Sequence, residues 1–203
     1  MTKLKLLPKQ EQAIWYLNQP HIREVKYGGA AGGGKSALGV LWLNSMSQIH
    51  KGSRWLMGRA KLKTLKQTTL NTFFELTSKL ECSNWFDYNQ QAGEIKYKNG
   101  SVIILKDLFL YPSDPEFDSL GSLEVCGGFI DETAQITQKA WQIALSRCRY
   151  GLDKFNITPK MLGTCNPTKN YVYKEFYRPN KDGTILPHRA FVQSLPTDNP
   201  HLP

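Results

Sequence analysis

From Val25 to Phe74 the chain contains neither aspartate nor glutamate, while Lys26, Lys35, Lys51, Arg54, Arg59, Lys61, Lys63 and Lys66 all fall inside that stretch. The whole sequence of 203 residues carries 26 Lys and Arg against 17 Asp and Glu, for a net charge of +9. Without compensating acids the basic stretch points to an anionic partner, nucleic acid or acidic lipid, whose local concentration a positive field raises. Cysteine is scarce too. Cys82, Cys126, Cys148 and Cys165 stand far apart with no C-x-x-C pair, which argues against a zinc site and a disulfide framework and leaves reduced, mostly buried thiols. No apolar run reaches membrane-spanning length and no basic-then-apolar leader opens the chain, so a cytoplasmic protein is expected. Internal repeats and low-complexity segments are absent, and the length suits one domain with a sizeable core.

Glycine, by contrast, is concentrated. The stretch EVKYGGAAGGGKSALG, Glu24 to Gly39, holds six glycines and fits G-x-x-x-x-G-K-[ST] from Gly29 to Ser36. In that pattern the backbone N–H groups of Gly29, Ala30, Ala31, Gly32, Gly33 and Gly34 curl around a phosphate that side chains would block. Strand-like Glu24–Tyr27 precedes the loop and an apolar helix from Ser36 follows it, so the phosphate would meet a helix N-terminus. Lys35 then reaches the β- and γ-phosphates of ATP, and Ser36 ligates Mg²⁺.

The rest of the pattern alternates. A short helix opens near Pro8; Arg54–Gly58 reads as a second strand; a helix follows through Leu62, Leu65, Leu70, Phe73, Leu76 and Leu80. Glu94–Lys98 and Ser101–Leu105 flank Asn99-Gly100, a hairpin signal, and predict an antiparallel extension. Tyr111–Asp118 reads as a loop. Glu124–Glu132 predicts a strand ending in two acids, then a helix through Trp141 and Leu145, then a strand over Pro159–Thr164. The expected fold class is α/β, a mostly parallel central sheet flanked by helices on both faces.

An acid at the carboxyl tip of a buried strand lies beside the phosphate loop in such a sheet. Asp131 would hold the metal shell, and Glu132 would accept a proton from attacking water, a role that a hydrolase needs and a small-molecule kinase avoids. The same acids would also suit a helix start. Asn166, after the later strand, either senses the γ-phosphate and its water or makes a turn with Pro167.

Tyr27-Gly28-Gly29 leading into Gly34-Lys35-Ser36, then Phe129-Ile130-Asp131-Glu132, Ser146-Arg147-Cys148-Arg149 and Leu162-Gly163-Thr164-Cys165-Asn166-Pro167, in that order, resemble the large terminase subunit of tailed double-stranded DNA bacteriophages. The resemblance runs from about Pro8 onward. It implies a P-loop NTPase of RecA/ASCE-like type over residues 1–195, with 196–203 starting a linker toward a nuclease domain. It further implies Gln10 against adenine, Lys35 and Ser36 as the Walker A pair, Asp131 and Glu132 as the Walker B acids, and Thr164, Cys165 and Asn166 as the coupling motif. The implied activity is ATP hydrolysis driving double-stranded DNA into a procapsid, in the host cytoplasm, with portal protein, small terminase subunit and a ring of copies as partners. Ala30 and Ala31 stand where many members carry a loop arginine. A guanidinium for the γ-phosphate must therefore come from elsewhere: Arg147 or Arg149, unless these cap their helix, or Arg59, a possible nucleotide contact. Two other classes compete, a small-molecule kinase and a DNA-binding module that holds nucleotide without hydrolysing it.

Overall fold

A computed structural model describes residues 5–29 and 33–199, apart from the side chain of Pro196. One sheet of eight strands forms its centre: β1 Glu24–Gly29, β2 Arg54–Arg59, β3 Phe86–Asn89, β4 Glu94–Tyr97, β5 Val102–Asp107, β6 Gly127–Ile130, β7 Lys160–Cys165 and β8 Arg189–Ser194. The spatial order is β3-β4-β5-β2-β6-β7-β1-β8. From β5 to β8 all pairs are parallel, while β3 and β4 add an antiparallel edge.

Helices cover both faces, which is why the parallel strands are buried along their length. On one side lie α1 Pro8–Asn18, α2 Lys35–Ile49, α3 Leu62–Gln67 and α4 Thr69–Lys79, whose Ala13, Leu38, Leu43, Leu65 and Phe73 pack on Val25, Tyr27, Trp55 and Met57. On the other, α5 Gln138–Ser146 places Ala140, Trp141 and Ala144 against Leu56, Ile130 and Met161. Short helices α6 Leu152–Phe155 and α7 Arg178–Lys181 and a π-turn at Tyr173–Tyr177 complete the chain. The four cysteines are buried and unpaired.

Three expectations shift. The helix read through Leu62 to Leu80 is two helices, broken at Thr68, whose φ of −126° and ψ of −77° leave the helical region. The strand expected over Glu124–Glu132 narrows to β6, although Asp131 N–H still donates to Gly58 O at 2.8 Å and extends the ladder by one bond. Strands β3 and β8 carry charged and polar residues that hid them. Arg189 of β8 is one example, spending its guanidinium on Glu24 and Glu175, each at 2.9 Å.

Below the sheet, β1 buries two ionisable side chains. Glu24 accepts from Trp141 Nε1 at 2.5 Å and from Arg189, while Lys26 sits with Nζ 2.8 Å from the centre of the Trp141 ring and 3.5 Å from Tyr171 Oη. The strand that leads into the glycine loop is thereby fastened to α5 and to the segment after β7.

Candidate nucleotide site

The glycine loop joins the carboxyl end of β1 to the amino end of α2, as its flanks predict. Ala30, Ala31 and Gly32 lie outside the described residues. At the described margins, Tyr27 Oη donates to Gly33 O at 3.1 Å and Lys35 Nζ donates to Gly29 O at 3.0 Å, so the ammonium reaches back across the loop. Gly34 has φ +64° and ψ 25°, a left-handed conformation that glycine adopts without penalty. Among the described residues no side chain caps α2, whose amino end and dipole favour an anion. Gln10 touches this loop directly: Nε2 donates to Gly34 O at 2.9 Å and Oε1 accepts from Leu7 N–H at 2.9 Å. One N–H and one lone pair of its amide hold the loop's end to α1, leaving a second N–H and a second lone pair for a further partner.

Asp131, 1% exposed, receives donors from four elements. Ser36 Oγ lies 3.0 Å from Oδ2 and 3.2 Å from Oδ1; Thr69 Oγ1 donates to Oδ2 at 2.6 Å; Thr164 Oγ1 donates to Oδ1; and Arg59 Nη1 stands 3.4 Å from Oδ2. A buried carboxylate is tolerated only with such partners. Glu132 next to it has φ 55° and ψ 50°, a strained conformation for a non-glycine residue that costs about 1 kcal/mol or more. The strain is held by two bonds from one segment: Glu132 N–H donates to Thr164 Oγ1 at 2.9 Å, and Asn166 Nδ2 donates to Glu132 Oε2 at 2.8 Å. Thr133 adds a third tie, from Oγ1 to Thr164 O at 2.8 Å. Thr164 therefore serves both acids with one hydroxyl. Cys165 between them is buried, and burial pushes its thiol up to about 11.

The arginines separate cleanly. Arg59 ends β2 at this site, bonded also to Thr68 Oγ1 at 2.7 Å, with its Nε buried and lacking a hydrogen-bond partner among the described residues. Arg147 and Arg149 lie at the opposite edge of the sheet. Arg147 O accepts from Val125 N–H at 3.1 Å, on the amino-terminal side of β6, and Arg149 pairs with Glu124 at 3.2 Å. Six residues of extended chain, about 20 Å at roughly 3.3 Å each, separate that edge from Asp131. Of the three candidate arginines, Arg59 alone is bonded to Asp131.

Sequence reading missed Thr68 and Thr69. They form the break between α3 and α4 and turn toward Arg59 and Asp131 respectively. The one available signal was a polar pair interrupting an apolar period. As for a metal, Ser36 and Asp131 offer hard oxygens at a single carboxylate, the donor set with which Mg²⁺ is held when phosphates complete its shell.

A mostly parallel sheet with a glycine loop between a buried strand, here β1, and a helix, and acids at the tip of the strand two places away, is the P-loop NTPase fold. Solved structures show the same architecture. The large terminase from a thermophilic bacteriophage, in complex with ADP, superposes with a TM-score of 0.74 at 15% identity, over 98% of this chain and 48% of that one. The large terminase of bacteriophage HK97 gives 0.68 at 11% identity, over 95% and 40%. The large terminase ATPase domain of Thermus phage P74-26 gives 0.64 at 13% identity, over 94% and 80%. This chain thus spans about half the length of the first of these proteins. A family model, the phage terminase large subunit, matches residues 21–203, and the chain belongs to that family. None of the curated proteins matches it at a significant level.

Proposed function

We propose that this chain binds and hydrolyses ATP with Mg²⁺ and thereby powers the movement of double-stranded DNA into a viral procapsid, in the host cytoplasm. The observation that carries the reading is the joined network of Ser36, Asp131, Glu132, Thr164 and Asn166, in which the loop serine meets one acid and the coupling segment holds the other. Lys35 neutralises phosphate charge and the open end of α2 receives it. Bound Mg²⁺ would supply charge neutralisation at the transferring phosphoryl group, held through Ser36 and Asp131. Glu132 takes the proton of the attacking water, and Asn166 senses that carboxylate and carries its state to the segment after β7. Arg59 is the guanidinium of this chain that stands nearest the metal acid. The ADP and ATP-γ-S complexes of the large terminase from the thermophilic bacteriophage support nucleotide binding. Double-stranded DNA is the polyanion that the lysines at positions 61, 63 and 66 would meet; portal protein, small subunit and a ring of copies are the further partners that membership of the family suggests.

Binding and turnover of ATP in two variants test the site. Lys35→Ala loses phosphate charge, so affinity and turnover both fall. Glu132→Gln keeps shape and binds ATP as the parent does, while turnover falls by at least about a hundredfold. Parental turnover in Glu132→Gln refutes the base, and parental affinity in Lys35→Ala refutes the loop.

A further inference from the structure

Beyond β5 the chain exposes three large apolar residues in a row, Phe109, Leu110 and Tyr111, at 38%, 44% and 39% of their surface. Such a run on a protein surface marks a contact site. It is braced and not loose: Tyr111 Oη donates to Asp107 Oδ2 at 3.0 Å, and the Phe109 and Tyr111 rings meet edge to face at 5.2 Å. Lys61 Nζ lies 5.0 Å from the centre of the Phe109 ring, and Lys63 is exposed one residue into α3. Of the acids further along the loop, Asp114 accepts from the N–H groups of Asp118 and Ser119 and Glu116 pairs with Lys139, while Asp118 is exposed. Directly beneath, buried Leu108 donates its N–H to Arg59 O at 2.9 Å and packs so close to Gly58 that an added Cβ would sit 2.5 Å from its Cδ1. Gly58 O is the acceptor of Asp131 N–H. The apolar tip is thus two links from the metal acid.

We propose that the Phe109–Tyr111 tip is a foothold on double-stranded DNA that grips through apolar contact with sugar and base surfaces, beside the phosphate contacts of Lys61 and Lys63. It rests on the reading that this chain handles DNA, and it adds the element that holds when charge is screened. Phosphate contacts release counterions and weaken with salt, whereas apolar contact does not. The choice of DNA over protein follows from the lysines at its border.

The test is the affinity of the chain for a mixed-sequence duplex by fluorescence anisotropy, at several salt concentrations between about 50 and 200 mM. Phe109→Ala/Tyr111→Ala should lose about tenfold in affinity at every salt with an unchanged slope. Lys61→Ala/Lys63→Ala should reduce the slope of log K against log salt by about 2. A second variant, Phe109→Leu/Tyr111→Leu, keeps apolar surface and should retain most of the affinity at the parental melting temperature. Parental DNA affinity in Phe109→Ala/Tyr111→Ala, folded by circular dichroism, overturns the foothold. So does loss of self-association in sedimentation with DNA affinity intact, which would make the tip a contact between copies. If the parent chain itself binds no duplex, the DNA reading fails first.

Discussion

Thr164 gives one hydroxyl to two acids, accepting from Glu132 N–H and donating to Asp131 Oδ1. Removing it while keeping its shape isolates that role. Thr164→Val should cost about 1–3 kcal/mol of stability, because it leaves the Glu132 N–H without its acceptor and Asp131 Oδ1 with only the longer contact to Ser36. It should also lower kcat with little change in ATP affinity, and Thr164→Ser should restore both; chemical denaturation and steady-state kinetics read the two effects. Equal kcat in Thr164→Val and the parent would show that placing Glu132 does not depend on this bond. Arg59 gives a second test at this scale. With no arginine in the loop and Arg147 and Arg149 at the far edge, Arg59→Ala should reduce kcat at least about a hundredfold, as loss of a charge on the transferring phosphoryl group does. Arg59→Lys should not restore it, since the lysine ammonium ends one atom short of the Nη1 that meets both Asp131 and Thr68 and lacks the planar fork. Near-parental turnover in Arg59→Ala would assign the guanidinium to another chain.

Among the elements, β1 does two jobs, delivering the glycine loop and burying Lys26 against Trp141. Burial holds the Lys26 amine well below the ordinary lysine value, against smaller opposing effects of Cys165 and Glu24. Unfolding therefore takes up a proton at every pH between the lowered value and about 10.4, and this residue makes stability rise with pH across that window. Lys26→Met should be more stable than the parent at neutral pH, by about 1 kcal/mol or more, with the gap closing toward pH 10; melting curves of the two proteins across pH measure it. A gap that stays constant with pH would mean that Lys26 is charged in the folded chain. The elements also show what a sequence discloses. The glycine loop, the paired acids and the Asn99-Gly100 hairpin were legible because each is a local pattern with a fixed spacing. The break at Thr68 was not, because a polar pair between Leu65 and Leu70 is a weak signal and the partners of Thr68 and Thr69 lie in β2 and after β6. Gln10 entered only through the family resemblance, and its bond to Gly34 O depends on how α1 packs against the loop. Strand β8 was hidden by Arg189, whose charge is matched only by Glu24 and Glu175 brought from other elements.

For the whole molecule, Arg147 and Arg149 lie on the amino-terminal side of β6, away from Asp131, and a role for them toward a neighbouring copy can be tested. If such a neighbour supplies a finger, specific ATPase activity rises with protein concentration, and mixing Arg149→Ala or Arg147→Ala with Glu132→Gln restores activity that neither variant has alone. If both arginine variants keep parental activity at high concentration, these residues serve only the end of α5 and the adjoining edge of the sheet. The central claim, that the carboxyl edge of the sheet is an ATP-hydrolysing site that answers to DNA, meets its most direct test in one measurement: phosphate release from Mg-ATP by the parent chain at high concentration, with and without double-stranded DNA. The account predicts release that DNA accelerates. ATP that is bound and left intact under both conditions would contradict it.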